Sequence, residues 1–514
     1  MRSAFLTYTK SRPDLLVNLY FVLFVLATLG VRIFIFINYN SKIIDSDQPY
    51  MWIGASDFAK GHFYEPRYYA QDYNTFMEAL FAVPFIWMKL PVYYAVPIAT
   101  HLIFLFPFLF SAFCLFFHQK KTQAILVLAV ILCLPLEYDV LTSLPRGFVT
   151  GLFFTSFFVL SILKPDNLRL IALNTILALT GYFVSPNSVL VSVPFLFYIF
   201  LHHFKNPRYY ITTVLCLCTI LPLYLFFDQF YKTHRDYVMN DIHYSFSWHF
   251  FLENISDLDR RFAHLSFFRA NNCLALLGVL LLLAIALYRR NKKAFASFWV
   301  FSVVILFSFC SGKTTEGSTW VYMSYGRMYL GIPLFICLFL CVFDFRIKKL
   351  SFVLFCIPLL FSAYKLARSE KLLAWHYDNR HYHGVKLFSL QSALEAIDFY
   401  KGVCKERHAE LLLISNRFWL NNVICYGGPA IYDDYPLTQE TKLEKRYWVR
   451  AKNNPKVFTS FVMVSSRPDL GELLPTHTYF QLKRIDDYGL LHVTGNTLKT
   501  EEVIRFINLY EPYD

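Results

Sequence analysis

The chain has 514 residues, 56% of them hydrophobic and only 17% charged, with 55 Phe and 35 Tyr. Soluble domains average about 25% charged residues, so this composition excludes one large water-soluble enzyme, a disordered chain and a collagen-like one, and makes lipid the main solvent. The net charge of +13 would suggest nucleic acid in a soluble protein; placed between apolar runs it reads as a topology signal, and no nucleic-acid partner is expected.

Apolar runs occur at 16–37, 92–117, 122–137, 147–163, 170–186, 188–204, 209–227, 272–288, 294–311, 328–343 and 350–364. Several are shorter than the about 20 residues of a full crossing and must borrow flanking Tyr, Trp and Pro positions. They predict about eleven transmembrane helices. Short basic linkers (Lys120 and Lys121; Lys164 and Arg169; Lys205 and Arg208; Arg289 to Lys293; Arg346 to Lys349) fall between alternate pairs of runs, with Arg2, Lys10 and Arg12 before the first. All then lie on the cytoplasmic side, the N-terminus included. The segments 38–91, 138–146, 228–271 and 312–327 and the tail from residue 366 onward face outward. The first run is long and lacks a small-residue cleavage pattern, so it reads as a retained signal anchor. Arg32, near its outer end, reads as an interfacial anchor whose head snorkels to the head groups. The stretch 76–90 contains Glu78 and Pro84; counting it as a span would invert every later linker, so it is placed as an interfacial or re-entrant helix.

Two domains follow: a membrane domain over 1–365, with its first external loop at 38–91, and an external α/β domain over 366–514. In the latter, 392–407 reads as an amphipathic helix, 409–415, 422–428, 458–465 and 479–495 as strands, and 500–509 as a last helix. No G-x-G-x-x-G, P-loop or metal-spaced Cys/His set is present there. Most of the eleven cysteines sit in apolar runs as small hydrophobes; Cys404 and Cys425 could pair if the tail faces an oxidising compartment.

The first external loop concentrates carboxylates: Asp45, Asp47, Asp57, Glu65, Asp72 and Glu78. Carboxylates at the head-group level can act as a general base or bind a divalent cation, and the neighbouring aromatic rings can stack on sugars or anchor at the interface. The external histidines His234, His243, His249 and His264 have no zinc-ligand spacing and read as interfacial, and no metal site is predicted. The Asn-Ile-Ser sequon at Asn254 is read as a chance occurrence.

The stretch DSDQPYMWIGASDFAKGHFY (45–64) resembles the acidic loop of the GT-C superfamily of membrane glycosyltransferases, which includes protein O-mannosyltransferases and the aminoarabinose transferases that modify lipid A. On that alignment Asp47 takes the catalytic Asp position, Gln48 replaces the usual Glu, and Gly61 ends the short helix; Asp45 is the second candidate carboxylate. YYAQDYNTFMEALFAVP (68–84) is similar to a further family segment, with Tyr69, Gln71, Tyr73, Glu78, Ala79 and Pro84 at matching places. LPRGFVTGLF (144–153), GYFVSPNSVL (181–190) and GRMYLGIPLF (326–335) resemble three more, in the expected order.

The resemblance implies an inverting transfer of a hexosyl or pentosyl group from a polyprenyl-phosphate carrier to a glycolipid, polysaccharide or protein acceptor outside the membrane. Asp47 would be the base. Departure of a phosphate calls for fixed cations, for which Arg327, Arg146 and Lys313 lie on the expected face. Gln71, Tyr73 and Glu78 complete the expected substrate contacts. The implied location is a bacterial cytoplasmic membrane with the tail in the periplasm, or an ER membrane with the tail in the lumen. A transporter or flippase of a lipid-linked glycan is the alternative; it should carry charged residues within its spans, whereas the carboxylates crowd one external loop. A glycan polymerase or ligase should instead place its Arg and His in a large late loop.

Overall fold

A computed structural model describes residues 2–69, 74–235, 245–262, 264–266, 272–343, 349–379, 386–415, 417–441, 457–467, 481–485, 489–499 and 502–505. Gln71 and Tyr73 lie outside the described residues. The chain forms two compact units: Met1–Asn40 with Pro97–Phe226 and His243–His383, and Ser41–Val96 with Phe227–Ile242 and Gly384–Asp514. The acidic loop thus shares a unit with the tail, and residues 366–383 group with the membrane helices.

Each of the eleven apolar runs carries helix. By length and composition four helices can cross a membrane, Leu15–Asn40, Val92–Phe117, Pro207–Thr233 and Cys273–Arg290, and shorter apolar helices accompany them. In the first unit the N-terminal helix packs on Lys121–Cys133 and Lys349–Ala367, and Val189–His203 packs on Lys292–Ser308 and Ile332–Leu340. Stacked rings tie further pairs together: Phe158 on Phe195 of Val189–His203 at 3.9 Å, and Phe301 of Lys292–Ser308 on Phe335 of Ile332–Leu340 at 3.8 Å. The helix Pro207–Thr233 has little of its apolar window covered by protein. Ile211, Val214, Leu215, Tyr224 and Phe226 point outward, a surface that suits acyl chains and would be an aggregation hazard in water.

The second unit contains two sheets. Strand β1 (Ile43–Asp45) pairs antiparallel with β2 (Leu387–Ser389), Asp45 opposite Leu387. Strands β3 (Leu411–Ile414), β4 (Leu437–Glu440), β5 (Val457–Val464), β6 (Gln481–Arg484) and β7 (Leu490–Lys499) form a mixed sheet in the order β4-β3-β5-β7-β6. β3 is parallel to both neighbours, β5 and β4, while β7 is antiparallel to β5 and β6. All four residues of β3 are buried, which is why its sequence is a continuous apolar run rather than an alternating one.

Two expectations for the tail change. Residues 422–428 are not a strand but a wide helical turn, Val423–Gly427, running into Gly428–Ile431. A short, fully buried apolar run carries no periodicity to separate the two, and a Cβ on Gly428 would overlap the Tyr435 ring. The segment 479–495 is a hairpin of β6 and β7 rather than one strand, with Gly489 at φ +92° beside the turn; that left-handed backbone favours glycine. Cys404 and Cys425 are buried thiols, and among the described residues there is no disulfide. Burial pushes the Cys404 thiol up to about 12. The last helix is described over 502–505 only.

Candidate active site

The acidic turn begins where β1 ends. Asp45 is fully buried, and its Oδ1 accepts the backbone N–H groups of Asp47 (2.9 Å) and Gln48 (3.2 Å), while Oδ2 accepts from the Gln48 amide (3.2 Å). It therefore does the work of an N-cap for the helix Gln48–Ala59, where unsatisfied N–H groups and the helix dipole favour a carboxylate. Asp47 precedes that helix at φ −98°, ψ −21° and does not cap it with its side chain; it is half-buried. Its carbonyl accepts the Tyr68 hydroxyl at 3.0 Å. The two carboxylates that sequence alone left as alternatives are therefore placed differently: Asp45 builds the turn, and Asp47 stands in it without capping the helix.

The rest of the loop braces this turn. Tyr69 donates to Asp57 Oδ2 (2.8 Å), Tyr68 stacks on Phe76 (4.8 Å), and Tyr231 donates to Glu65 (3.3 Å) while accepting the Arg67 N–H (3.0 Å). Gly54 lies under the Phe76 ring, where a Cβ would come to 2.9 Å. Glu78 is fully buried in the first turn of the helix Met77–Trp87, again where the helix dipole favours a carboxylate. The Asp45–Gly61 and Tyr68–Pro84 motifs are thus one packed body.

In the other unit the remaining three motifs converge. The Asn187 amide donates to the carbonyls of Phe148 (3.3 Å) and Arg327 (3.1 Å), joining all three. A Cβ on Gly151 would come within 2.6 Å of the Ser185 carbonyl, so the close approach requires glycine there. Arg146 donates to the Tyr322 carbonyl (2.9 Å), and Arg327 to those of Met323 (3.2 Å) and Ser324 (3.4 Å). Both guanidinium groups are thus held on one three-residue stretch, and both are largely buried. Lys313 is instead ion-paired with Glu316 at 2.6 Å on a more exposed turn.

Sequence reasoning passed over Arg261 and His376 in this region and read His264 only as an interfacial residue. Arg261 is 2% exposed, donates to the Thr314 carbonyl (3.1 Å) and Glu253 (2.9 Å), and lies 4.3 Å from the Tyr325 ring. His264 shares a hydrogen bond with Ser324 at 2.9 Å. His376 is buried beside Trp320, Tyr322 and Trp375; burial, and secondarily His264, pushes its imidazole down to about 3. The basic residue in an outward loop could have flagged Arg261; nothing local marks His376. The sequon residue Asn254 is buried and donates to Phe250, Phe309 and Thr314.

Arg32 is not an interfacial anchor. It is 3% exposed, donates to the Asp139 carbonyl (2.9 Å) and Thr142 Oγ1 (2.8 Å), and sits 3.6 Å from the Asp139 carboxylate and 3.9 Å from the Phe104 ring centre. Lys365 grips the other Asp139 oxygen at 2.6 Å. A charge this deep holds its place only when paired, and the partner lies 107 residues away in sequence.

Among the described residues no group of three or more His, Cys, Asp or Glu side chains could hold a metal ion. No family model matches the sequence, and no curated protein does. Solved structures do match. ArnT from Cupriavidus metallidurans bound to undecaprenyl phosphate superposes with a TM-score of 0.53 at 12% identity, over 92% of this chain and 97% of that one. The same protein in the apo state gives 0.52 at 13% identity over the same shares.

The chain has the ArnT fold. The likeness is one of fold, and it spans 92% of the chain. With its lipid-suited surfaces, the ArnT-like chain is a mostly helical, polytopic integral membrane protein.

Proposed function

We propose that this protein transfers a sugar from a polyprenyl-phosphate-linked donor to a glycolipid, polysaccharide or protein hydroxyl on the outer face of a bacterial cytoplasmic membrane, with inversion at the anomeric carbon. The likeness in fold to a transferase solved with undecaprenyl phosphate, over 92% of the chain, carries this reading. The shape of the acidic turn adds to it. Asp47 accepts the proton of the acceptor hydroxyl as that oxygen attacks the anomeric carbon. The bond from anomeric carbon to phosphate oxygen breaks, and polyprenyl phosphate leaves with the electron pair. Arg327 and Arg146 hold its oxygens, their attraction growing as charge develops; Lys313 adds to the local positive field. Gln71, Tyr73 and Glu78 contact the substrates. A divalent cation, were one bound, would fall to the loop carboxylates, and EDTA treatment followed by Mg²⁺ or Mn²⁺ add-back tests for it.

A flippase would use charged residues within its spans; Arg32 lies in one, and Asp139 and Lys365 border others. They close on one another, which fits a lock between helices better than a path for cargo. Mass spectra of envelope glycolipids and glycoproteins from cells with and without the gene decide between the readings: the transferase reading expects one sugar missing from one acceptor, and an unchanged envelope would overturn it. For topology, an impermeant thiol reagent should label His62→Cys and Ser466→Cys from outside but not Asn291→Cys.

A further inference from the structure

The turn that presents Asp47 consists of three consecutive peptide planes, and each is pinned. The Asp45–Ser46 plane is held by the Ser46 N–H donating to the Lys386 carbonyl (3.0 Å). In the next plane, Ser46–Asp47, the carbonyl accepts from the Asn422 side-chain amide (2.9 Å) and the N–H donates to Asp45 Oδ1 (2.9 Å). In the third, the Asp47 carbonyl accepts from Tyr68 and the Gln48 N–H donates to Asp45. The tail thus supplies a partner for two of the three planes, and Asn422 is the only side chain of the tail among the partners named here. Its placement is fixed in turn. The Asn422 Oδ1 faces the Tyr50 hydroxyl at 3.5 Å, and four residues on Tyr426 stacks on Tyr50 at 4.2 Å. Gly427 lies against Trp52 of the same helix, where a Cβ would come to 3.4 Å.

We propose that Asn422 is a positioning residue: by gripping the Ser46 carbonyl it sets the orientation of the peptide plane that leads into Asp47, and so aims that carboxylate. This rests on the reading of Asp47 as the base. The tail on this view is part of the catalytic geometry, and one amide carries that part. A plane held at one end only can rotate about its two Cα–Cα anchors, and small losses of aim are expensive in rate.

The test uses the full chain in lipid nanodiscs, with Asn422→Leu, Asn422→Asp and, as a control, Lys401→Ala, which breaks an ion pair with Asp434 elsewhere on the tail. Asn422→Asp keeps the size and the acceptor for Tyr50 but removes the donor to Ser46. Hydrogen exchange read by mass spectrometry should show the Asp47 and Gln48 amides opening at least about tenfold faster in both Asn422 variants, with the β5 and β7 amides unchanged and Lys401→Ala like the parent. Transfer from a radiolabelled polyprenyl-phosphate sugar should fall about 10- to 100-fold in kcat with donor KM unchanged. Parent-like protection at Asp47 and Gln48 would overturn the proposal, as would parent-like kcat with those amides released. Loss of β5 and β7 protection in Asn422→Asp would make Asn422 a folding residue of the tail, which also overturns it. Failure of the base reading looks different: Asp47→Asn would then transfer sugar normally while the exchange result at Asn422 stood.

Discussion

Asp139 in the membrane unit and Asp45 in the tail unit are both fully buried carboxylates, held by opposite means. Asp139 is neutralised by two side-chain cations from distant helices, Arg32 and Lys365. Asp45 is satisfied by two backbone N–H groups and a side-chain amide within three residues. The first arrangement ties helices together and depends on charge. The second shapes one turn and depends mainly on having an acceptor in place. Both carboxylates are committed to structure, whereas Asp47 sits half-buried at the mouth of the helix and does not cap it with its side chain.

Removing charge should therefore be ruinous at one site and mild at the other. Asp139→Asn leaves two cations buried together, an arrangement that typically costs about 3–5 kcal/mol; little folded protein should be recovered, read as yield and monodispersity in detergent. Normal yield and melting temperature would refute the lock. Asp47→Asn should fold and bind donor but transfer about 100- to 10,000-fold more slowly. Arg327→Ala should raise the donor Kd and slow transfer together, because the lost interaction strengthens as the phosphate departs. Asp45→Asn keeps an oxygen for both N–H groups, so activity should fall only about tenfold or less, with about 1 kcal/mol lost in stability; a loss as deep as that of Asp47→Asn would exchange the two roles.

The last effect concerns acid and vanishes at neutral pH. His376 has its folded pKa depressed to about 3, against an unfolded value near 6.5. Below about pH 6.5 the unfolded chain binds a proton that the folded one refuses, so stability falls as pH drops toward 3, by at most about 1.4 kcal/mol per pH unit. His376→Phe should flatten the melting temperature against pH over that window. An unchanged slope would assign acid sensitivity to other groups.

The helical runs were legible from the sequence because they rest on local signals: apolar length, basic linkers, Gly and Pro at helix ends. Asp45 and Asp47 stood out for the same reason, but their division of labour did not, since two carboxylates two residues apart look alike until one is seen to meet the amides of the turn. Arg32 was misread because its partners, Asp139 and Lys365, come from other helices. Val423–Gly427 was misread because a buried run of five residues fits a strand and a helical turn equally well. Asn422 gave no signal at all, being the polar first residue of a run that read as a strand.

The grip of Asn422 on Ser46 joins residues 376 positions apart. At about 5–20 residues per second, the turn that holds Asp47 would wait roughly 20 to 75 seconds for its last partner to be made. A ribosome that stalls between the last apolar helix, Lys349–Ala367, and Asn422 therefore leaves a chain that has all its apolar helices but whose acidic turn lacks its clamp.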